Sequence, residues 1–195
     1  DLVTGVQTCA LPISCGWMVH QDAMAGKFDR ARADELQLSS KQRAMLARGE
    51  DVLDGNGDTL EAAWFRGGQR GAVSVLISGD TASAPSAWDD SVSPTLLIHE
   101  ATFLEEQQDK ADEHLHSTAA GAVASAQSVG TTYLALTHYS NRIKDAALPE
   151  QEASVSAKGM PVVALNDNDR LVVDDDGRLM HLAWGAGGWN MTNIT

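Results

Sequence analysis

Short apolar runs that each end in a turn or polar residue recur along the chain. Residues 73–78, 95–98, 132–136 and 161–165 are runs of this kind, short enough and sharply enough bounded to be buried strands. Residues 15–20 form a similar run nearer the start. Between the runs the pattern turns helical. Residues 104–112 predict a short helix, and Ser117 or Thr118 can cap an alanine-rich helix that reaches about Val129 and stops at Gly130. Residues 145–158 read as a third helix despite Pro149. Upstream, residues 30–38 predict a short helix. Ser39-Ser40 then offers the cap of another, running to about Arg48 and stopped by Gly49. Residues 51–66 predict a hairpin over Asp54-Gly55-Asn56-Gly57-Asp58, and residues 171–184 one over Asp174-Asp175-Asp176-Gly177. Gly185-Ala186-Gly187-Gly188 opens no helix after a strand, so it reads as a flexible tail rather than a phosphate loop.

Strands alternating with helices predict an α/β protein. In such folds the C-terminal ends of the strands converge on one rim, where ligands bind. At 195 residues, with 43% apolar and 21% charged side chains, the chain fits one globular domain. No run approaches the ~20 apolar residues of a membrane helix. Cys9 and Cys15 follow no zinc spacing and suit a reducing, cytoplasmic compartment. The net charge is −13, and residues 73–195 hold 17 of the acidic side chains against 6 basic ones. Such a surface disfavours a polyanionic substrate unless cations or metal ions reverse the field at the site.

The candidate chemistry lies where the apolar runs end. Asp80 follows Gly79, Glu100 closes the 95–98 run and His138 follows Thr137; His116 precedes the helix cap. Each alone is an ordinary strand-end or capping residue, and joint placement on one rim gives them meaning. A carboxylate can bridge two metal ions and an imidazole can bind one, so Asp80 and His138 are candidate metal ligands. Two divalent ions about 3.5–4 Å apart can share a hydroxide and clamp a phosphate oxygen, but such a site needs more donors than this pair supplies. Glu100 and His116 suit acid–base work: the carboxylate fixes the tautomer of the ring, whose other nitrogen can protonate a leaving alkoxide. His114 and His116 also form a His-x-His pair, but the adjacent cap places it in a loop. His99 should face away from Glu100 if the strand alternates. Asp54, Asn56 and Asp58 alternate as in a calcium loop, but Thr59 and Phe65 stand where an EF-hand needs Gly and Glu. Gly57-Asp58-Thr59 repeats the later Gly-Asp-Thr without ending a buried strand.

The order Gly79-Asp80-Thr81, Leu97-Ile98-His99-Glu100-Ala101-Thr102-Phe103, His116-Ser117-Thr118-Ala119, Leu136-Thr137-His138-Tyr139-Ser140 with Arg142 resembles the ribonuclease Z family of the metallo-β-lactamase superfamily. Gly26-Lys27-Phe28-Asp29 and the Leu46–Val52 stretch are also similar to that family, and the likeness covers roughly residues 17–180. The Asp and His motifs are shared across the superfamily; the His-Glu-Ala-Thr and His-Ser-Thr combination is much more specific. The resemblance implies an αββα sandwich with two Zn2+ ions, often as a homodimer, that cuts the 3′ trailer from precursor tRNA by hydroxide attack on a phosphodiester. It implies that Asp80 bridges the metals, His138 binds zinc, Glu100 and His116 protonate the leaving 3′-oxygen, and Arg142 lies near the phosphate. The family's His-x-His-x-Asp-His motif is absent, and so is a further zinc histidine. Ile143 stands where the family usually has Tyr, and no tRNA-clamping arm is visible. Residues 1–13 resemble a translated sequencing adapter. Residues 15–195 are therefore expected to be the C-terminal part of one such domain, inactive by itself. The rival readings are a superfamily hydrolase of a small ester or sulfate, and a remnant without catalysis.

Overall fold

A computed structural model of the protein describes residues 3–4, 14–68, 70–83 and 93–195. These fall into two compact units, Asp22–Ala72 and the remainder. Apart from Val3 and Thr4, the adapter-like segment lies outside the described residues, as do Cys9 and much of the loop before Pro94.

The larger unit begins with two antiparallel strands, β1 (Val3–Thr4) and β2 (Trp17–Gln21). The smaller unit comes next in the chain. Its first helix, α1 (Arg30–Glu35), is capped by Asp29, whose carboxylate accepts the Arg32 N–H at 2.9 Å. Helix α2 (Ser40–Ala47) starts at a capping box in which Ser39 and Gln42 each accept the other's backbone N–H. Gly49, at φ +87°, follows as the expected stop. The expected hairpin is present as β3 (Val52–Leu53) and β4 (Thr59–Leu60), but its second arm is shorter than predicted. Ala62–Phe65 instead forms a 3-10 turn. Asp51 accepts the Ala62 N–H at 2.8 Å, and Ala62 and Phe65 turn inward onto Ala33, Leu46 and Val52. Burial of that aromatic ring outweighs continued pairing at the tip of a short hairpin. At the tip, Asp54 accepts the N–H groups of Asn56 and Asp58, the bonding of a turn.

The larger unit is built on a six-stranded sheet in the order β1-β2-β5-β6-β7-β8. Strands β5 (Val73–Ile77), β6 (Leu96–Glu100), β7 (Tyr133–Thr137) and β8 (Val162–Ala164) are parallel, and β2 joins β5 in antiparallel register. Between β6 and β7 the chain forms α3 (Gln108–His114), entered through a 3-10 turn at Glu105–Gln107, and then α4 (Ala119–Val129). Helix α5 (Ala147–Ser156) precedes β8. Pro149 sits in its first turn, where a missing N–H costs no helical bond.

Side-chain alternation splits the sheet residues between two layers. Leu97, Leu134, Leu136 and Ala164 pack with Ala122, Val123 and Ala126 of α4 and Ala153 of α5. Leu96, Ala135 and Val163 pack instead with Leu171, Leu179 and Ile194 of a second sheet. That sheet has the order β11-β10-β9, from β9 (Arg170–Val173), β10 (Leu179–Gly185) and β11 (Gly188–Ile194). The layers are thus helix, sheet, sheet, in the order of the αββα sandwich. The tail expected from residue 185 is corrected here. Residues 185–188 are a turn, and β11 pairs with β10 from Leu179↔Ile194 to Gly185↔Gly188. Among the described residues no helix is long and apolar enough to cross a membrane.

Candidate active site

The parallel strands bring three loops together at their C-terminal ends. After β5, the Ser78 N–H bonds to the Ile98 carbonyl, and Gly79 turns the chain at φ +64° toward Asp80. A Cβ at Gly79 would lie 2.7 Å from the Cys15 carbonyl oxygen, so the close approach itself requires glycine. After β6, the Ala101 N–H bonds to the Thr137 carbonyl, and Phe103 exchanges backbone bonds with Ser117 and Ala119. This second stitch places the His116 loop over the end of β6. Leu115, left-handed at φ +56°, closes α3, and the His116 N–H bonds back to the Ala111 carbonyl. Thr118 caps α4 by accepting the Gly121 N–H at 2.9 Å, and Glu152 of α5 accepts the Ala120 N–H. After β7, His138 is itself left-handed at φ +58°, and the Ser140 N–H bonds to the Thr102 carbonyl. That backbone conformation costs a non-glycine residue about 1 kcal/mol, offset by the bonds around it.

Glu100 is the point where these loops meet. Its side chain is 2% exposed, and a carboxylate so placed must be hydrogen-bonded to be tolerated. Oε1 accepts the Thr81 N–H at 3.0 Å and faces His116 Nδ1 at 2.7 Å. Oε2 accepts the Thr102 N–H at 3.0 Å and the Thr102 hydroxyl at 2.7 Å. Because a carboxylate only accepts, His116 Nδ1 carries the hydrogen, and Nε2 is the nitrogen left for chemistry.

Asp80, His116 and His138 each offer a ligand atom, and these atoms all lie within 4.8 Å of one another. His138 Nε2 is 3.6 Å from Asp80 Oδ1, and the His116 and His138 rings stack with centroids 5.6 Å apart. One carboxylate oxygen and two imidazole nitrogens suit a borderline divalent ion such as Zn2+. They fit one ion; among the described residues no further His, Cys, Asp or Glu joins this cluster to hold a second. His138 and Asp80 are about half exposed, while His116 is 19% exposed beneath Phe103.

The structure therefore brings together all four residues of the proposed metal and acid–base sets, and it adds His116 to the atoms that could meet a metal. It does not bring Arg142 to them. That residue lies in an exposed turn, and no hydrogen bond or ion pair among the described residues joins it to the cluster. His114 ends α3 and stacks on Phe103, away from the potential ligands. His99 is fully buried with Nδ1 donating to the Glu100 carbonyl at 2.7 Å, and burial lowers its pKa. The residue that sequence reasoning missed is Thr102. Its hydroxyl lies 2.9 Å from His138 Nδ1 and 3.2 Å from His116 Nδ1 as well as 2.7 Å from Glu100. Its place two residues after the strand that carries Glu100 was the available signal.

No protein-family model matches the chain. Similar curated proteins exist. Ribonuclease Z of Haloarcula marismortui is 34% identical over 143 residues, which cover 72% of this chain and 45% of that protein. Ribonuclease Z of Halobacterium salinarum is 32% identical over 170 residues, 87% of this chain and 54% of that protein. The chain is a ribonuclease Z relative. Its larger unit has the layering of the metallo-β-lactamase fold to which the sequence motifs pointed. It spans about half the length of the curated ribonuclease Z proteins that it matches. Among solved structures, the short form of human tRNase Z is 30% identical, covering 56% of this chain and 34% of that one, with a TM-score of 0.37.

Proposed function

We propose that this ribonuclease Z relative works as a zinc-dependent endoribonuclease that removes the 3′ trailer from precursor tRNA, when joined to the part of the framework that holds the remaining metal donors. The observation that carries this reading is the convergence on one rim of Asp80, His138, Glu100 and His116, with the last two 2.7 Å apart. Asp80 and His138 would hold the metal. Zinc bound there supplies Lewis acidity toward a phosphodiester oxygen and makes water a stronger acid.

The chain's own residues do the rest. Glu100 holds the His116 ring by Nδ1, which keeps Nε2 directed away from the carboxylate. A proton held at Nε2 is available to the leaving 3′-oxygen as the P–O bond breaks, a contribution worth roughly 10²–10⁴ in rate. Arg142, on a mobile-length side chain in the turn four residues after His138, is proposed to meet the phosphate once substrate is bound. A local metal ion and this guanidinium would offset the acidic surface.

The ligand-atom cluster supports a second reading of His116, in which Nε2 is a third donor to the ion and Glu100 orients it as a carboxylate orients a metal-bound histidine. Cleavage of a precursor tRNA should be measured with the chain alone and with the chain fused to the N-terminal portion of the Haloarcula marismortui ribonuclease Z. Trailer release by the fusion and none by the chain alone is expected. A fusion that binds zinc and leaves precursor tRNA intact would overturn the proposal.

A further inference from the structure

We propose that Thr102 is a positioning residue that sets the tautomer and orientation of His138, using Glu100 as its anchor. The inference rests on His138 having the metal-binding place proposed above, but its physical content is a count of donors and acceptors. A threonine hydroxyl has one hydrogen and two lone pairs. Thr102 Oγ1 has four neighbours: Glu100 Oε2 at 2.7 Å, His138 Nδ1 at 2.9 Å, His116 Nδ1 at 3.2 Å and the His138 carbonyl oxygen at 3.2 Å. The single hydrogen goes to the carboxylate, which is both the nearest acceptor and the charged one. Oγ1 is then an acceptor toward His138, so the hydrogen of that ring sits on Nδ1.

The consequence falls on the other side of the ring. With Nδ1 protonated, Nε2 presents a lone pair, and it faces the Asp80 carboxylate at 3.6 Å. Two acceptors aimed at each other repel unless a cation lies between them, so the arrangement is one that a divalent ion completes. Thr102 is 9% exposed, and its backbone N–H is bound to the same carboxylate oxygen as its hydroxyl, so the side chain has little freedom to turn away. Glu100 would thereby hold both rings: His116 directly through Oε1, and His138 through the Thr102 hydroxyl on Oε2. The two histidines are sterically close, with ring centroids 5.6 Å apart, and one buried carboxylate orders them together.

The test reads the His138 ring directly. Long-range ¹H–¹⁵N correlation spectra of the full chain, without metal or RNA, should show the neutral form of the His138 ring protonated on Nδ1. Thr102→Val should shift the ring toward a mixture of tautomers, and zinc titration should show affinity lower by roughly 10–100-fold, the usual effect of removing a partner that orients a metal ligand. Thr102→Ser, which keeps the hydroxyl, should restore both. Thr102→Ala adds no bulk and serves in place of the valine variant if that protein fails to fold. An Nδ1-protonated ring that survives in Thr102→Val or Thr102→Ala, or a serine variant that behaves like them, would overturn the proposal. The tautomer is read without substrate, so failure to cleave precursor tRNA would count against the function and leave this inference standing.

Discussion

Glu100 Oε1 and His116 Nδ1, sixteen residues apart in the chain, lie 2.7 Å from each other at the floor of the site. The contact is one of four hydrogen bonds that the buried carboxylate receives. Glu100→Gln keeps the shape but replaces one accepting oxygen by an amide NH2, which must then face the Thr81 N–H and His116 or the Thr102 pair. Either placement sets donor against donor. An unsatisfied buried donor costs about 1–3 kcal/mol, so this variant should unfold at lower urea concentration by an equivalent amount. An unchanged midpoint would mean that the carboxylate contributes nothing to joining the three loops.

His116 and Asp80 separate the two readings of the site. In the fused protein, His116→Ala should lower turnover by roughly 10²–10⁴ while zinc content stays normal, as loss of a proton donor requires. Asp80→Ala should instead release the metal. Both quantities can be read from the same preparations by single-turnover cleavage and metal analysis. Zinc loss in the His116 variant would assign that ring to the ion, as the 4.8 Å cluster also permits.

Gly79 should tolerate no side chain. It combines a left-handed backbone with an approach in which a Cβ would sit 2.7 Å from the Cys15 carbonyl oxygen and 2.9 Å from Ser14 Oγ. Gly79→Ala should therefore cost about 1–3 kcal/mol in chemical denaturation and weaken zinc binding through displacement of Asp80. The equivalent change at Gly49 is a control: its φ is +87° but nothing lies within 4 Å of the added carbon. That variant should suffer the backbone penalty alone and keep its metal affinity.

The strands that frame the site were legible because buried parallel strands are short apolar runs, and 73–78, 95–98 and 132–136 differ from β5, β6 and β7 only at their ends. The caps at Ser39 and Thr118 and the stop at Gly130 were legible for local reasons, since each satisfies backbone groups within a few residues. What could not be read depends on distant partners. Thr102 looks like any residue after a strand until the fold brings His138, 36 positions away, to its hydroxyl. That His116 and Asp80 share one rim was expected, but the approach of their ligand atoms to within 4.8 Å depends on the stitching of the Phe103 loop to Ser117. Strand β11 was missed because its partner supplies its stability: Trp189, Asn190, Met191 and Thr192 alternate apolar and polar over only four mostly exposed residues, and the glycines before them suggest a tail. The early end of the first hairpin was missed because the burial of Phe65 among α1 and α2 is tertiary.

His99 makes stability depend on pH with a sign that can be stated. The ring is fully buried, and burial holds its pKa below the usual imidazole value. In the unfolded chain it takes a proton near the ordinary ~6.5. Below that pH the unfolded state binds more protons than the folded one, so the contribution of the neutral ring is fully present at higher pH and is lost as pH falls. The slope from one such group is at most about 1.4 kcal/mol per pH unit. Urea denaturation of the wild-type chain between about pH 7.5 and 5.5 should therefore show falling stability. His99→Gln, which has no titrating ring and keeps a donor for the Glu100 carbonyl, should start less stable and show a shallower slope. Other ionisable groups contribute to both curves, but their share cancels in the difference. Parallel curves would mean that His99 takes up a proton in the folded chain as readily as in the unfolded one, and that burial does not hold it neutral.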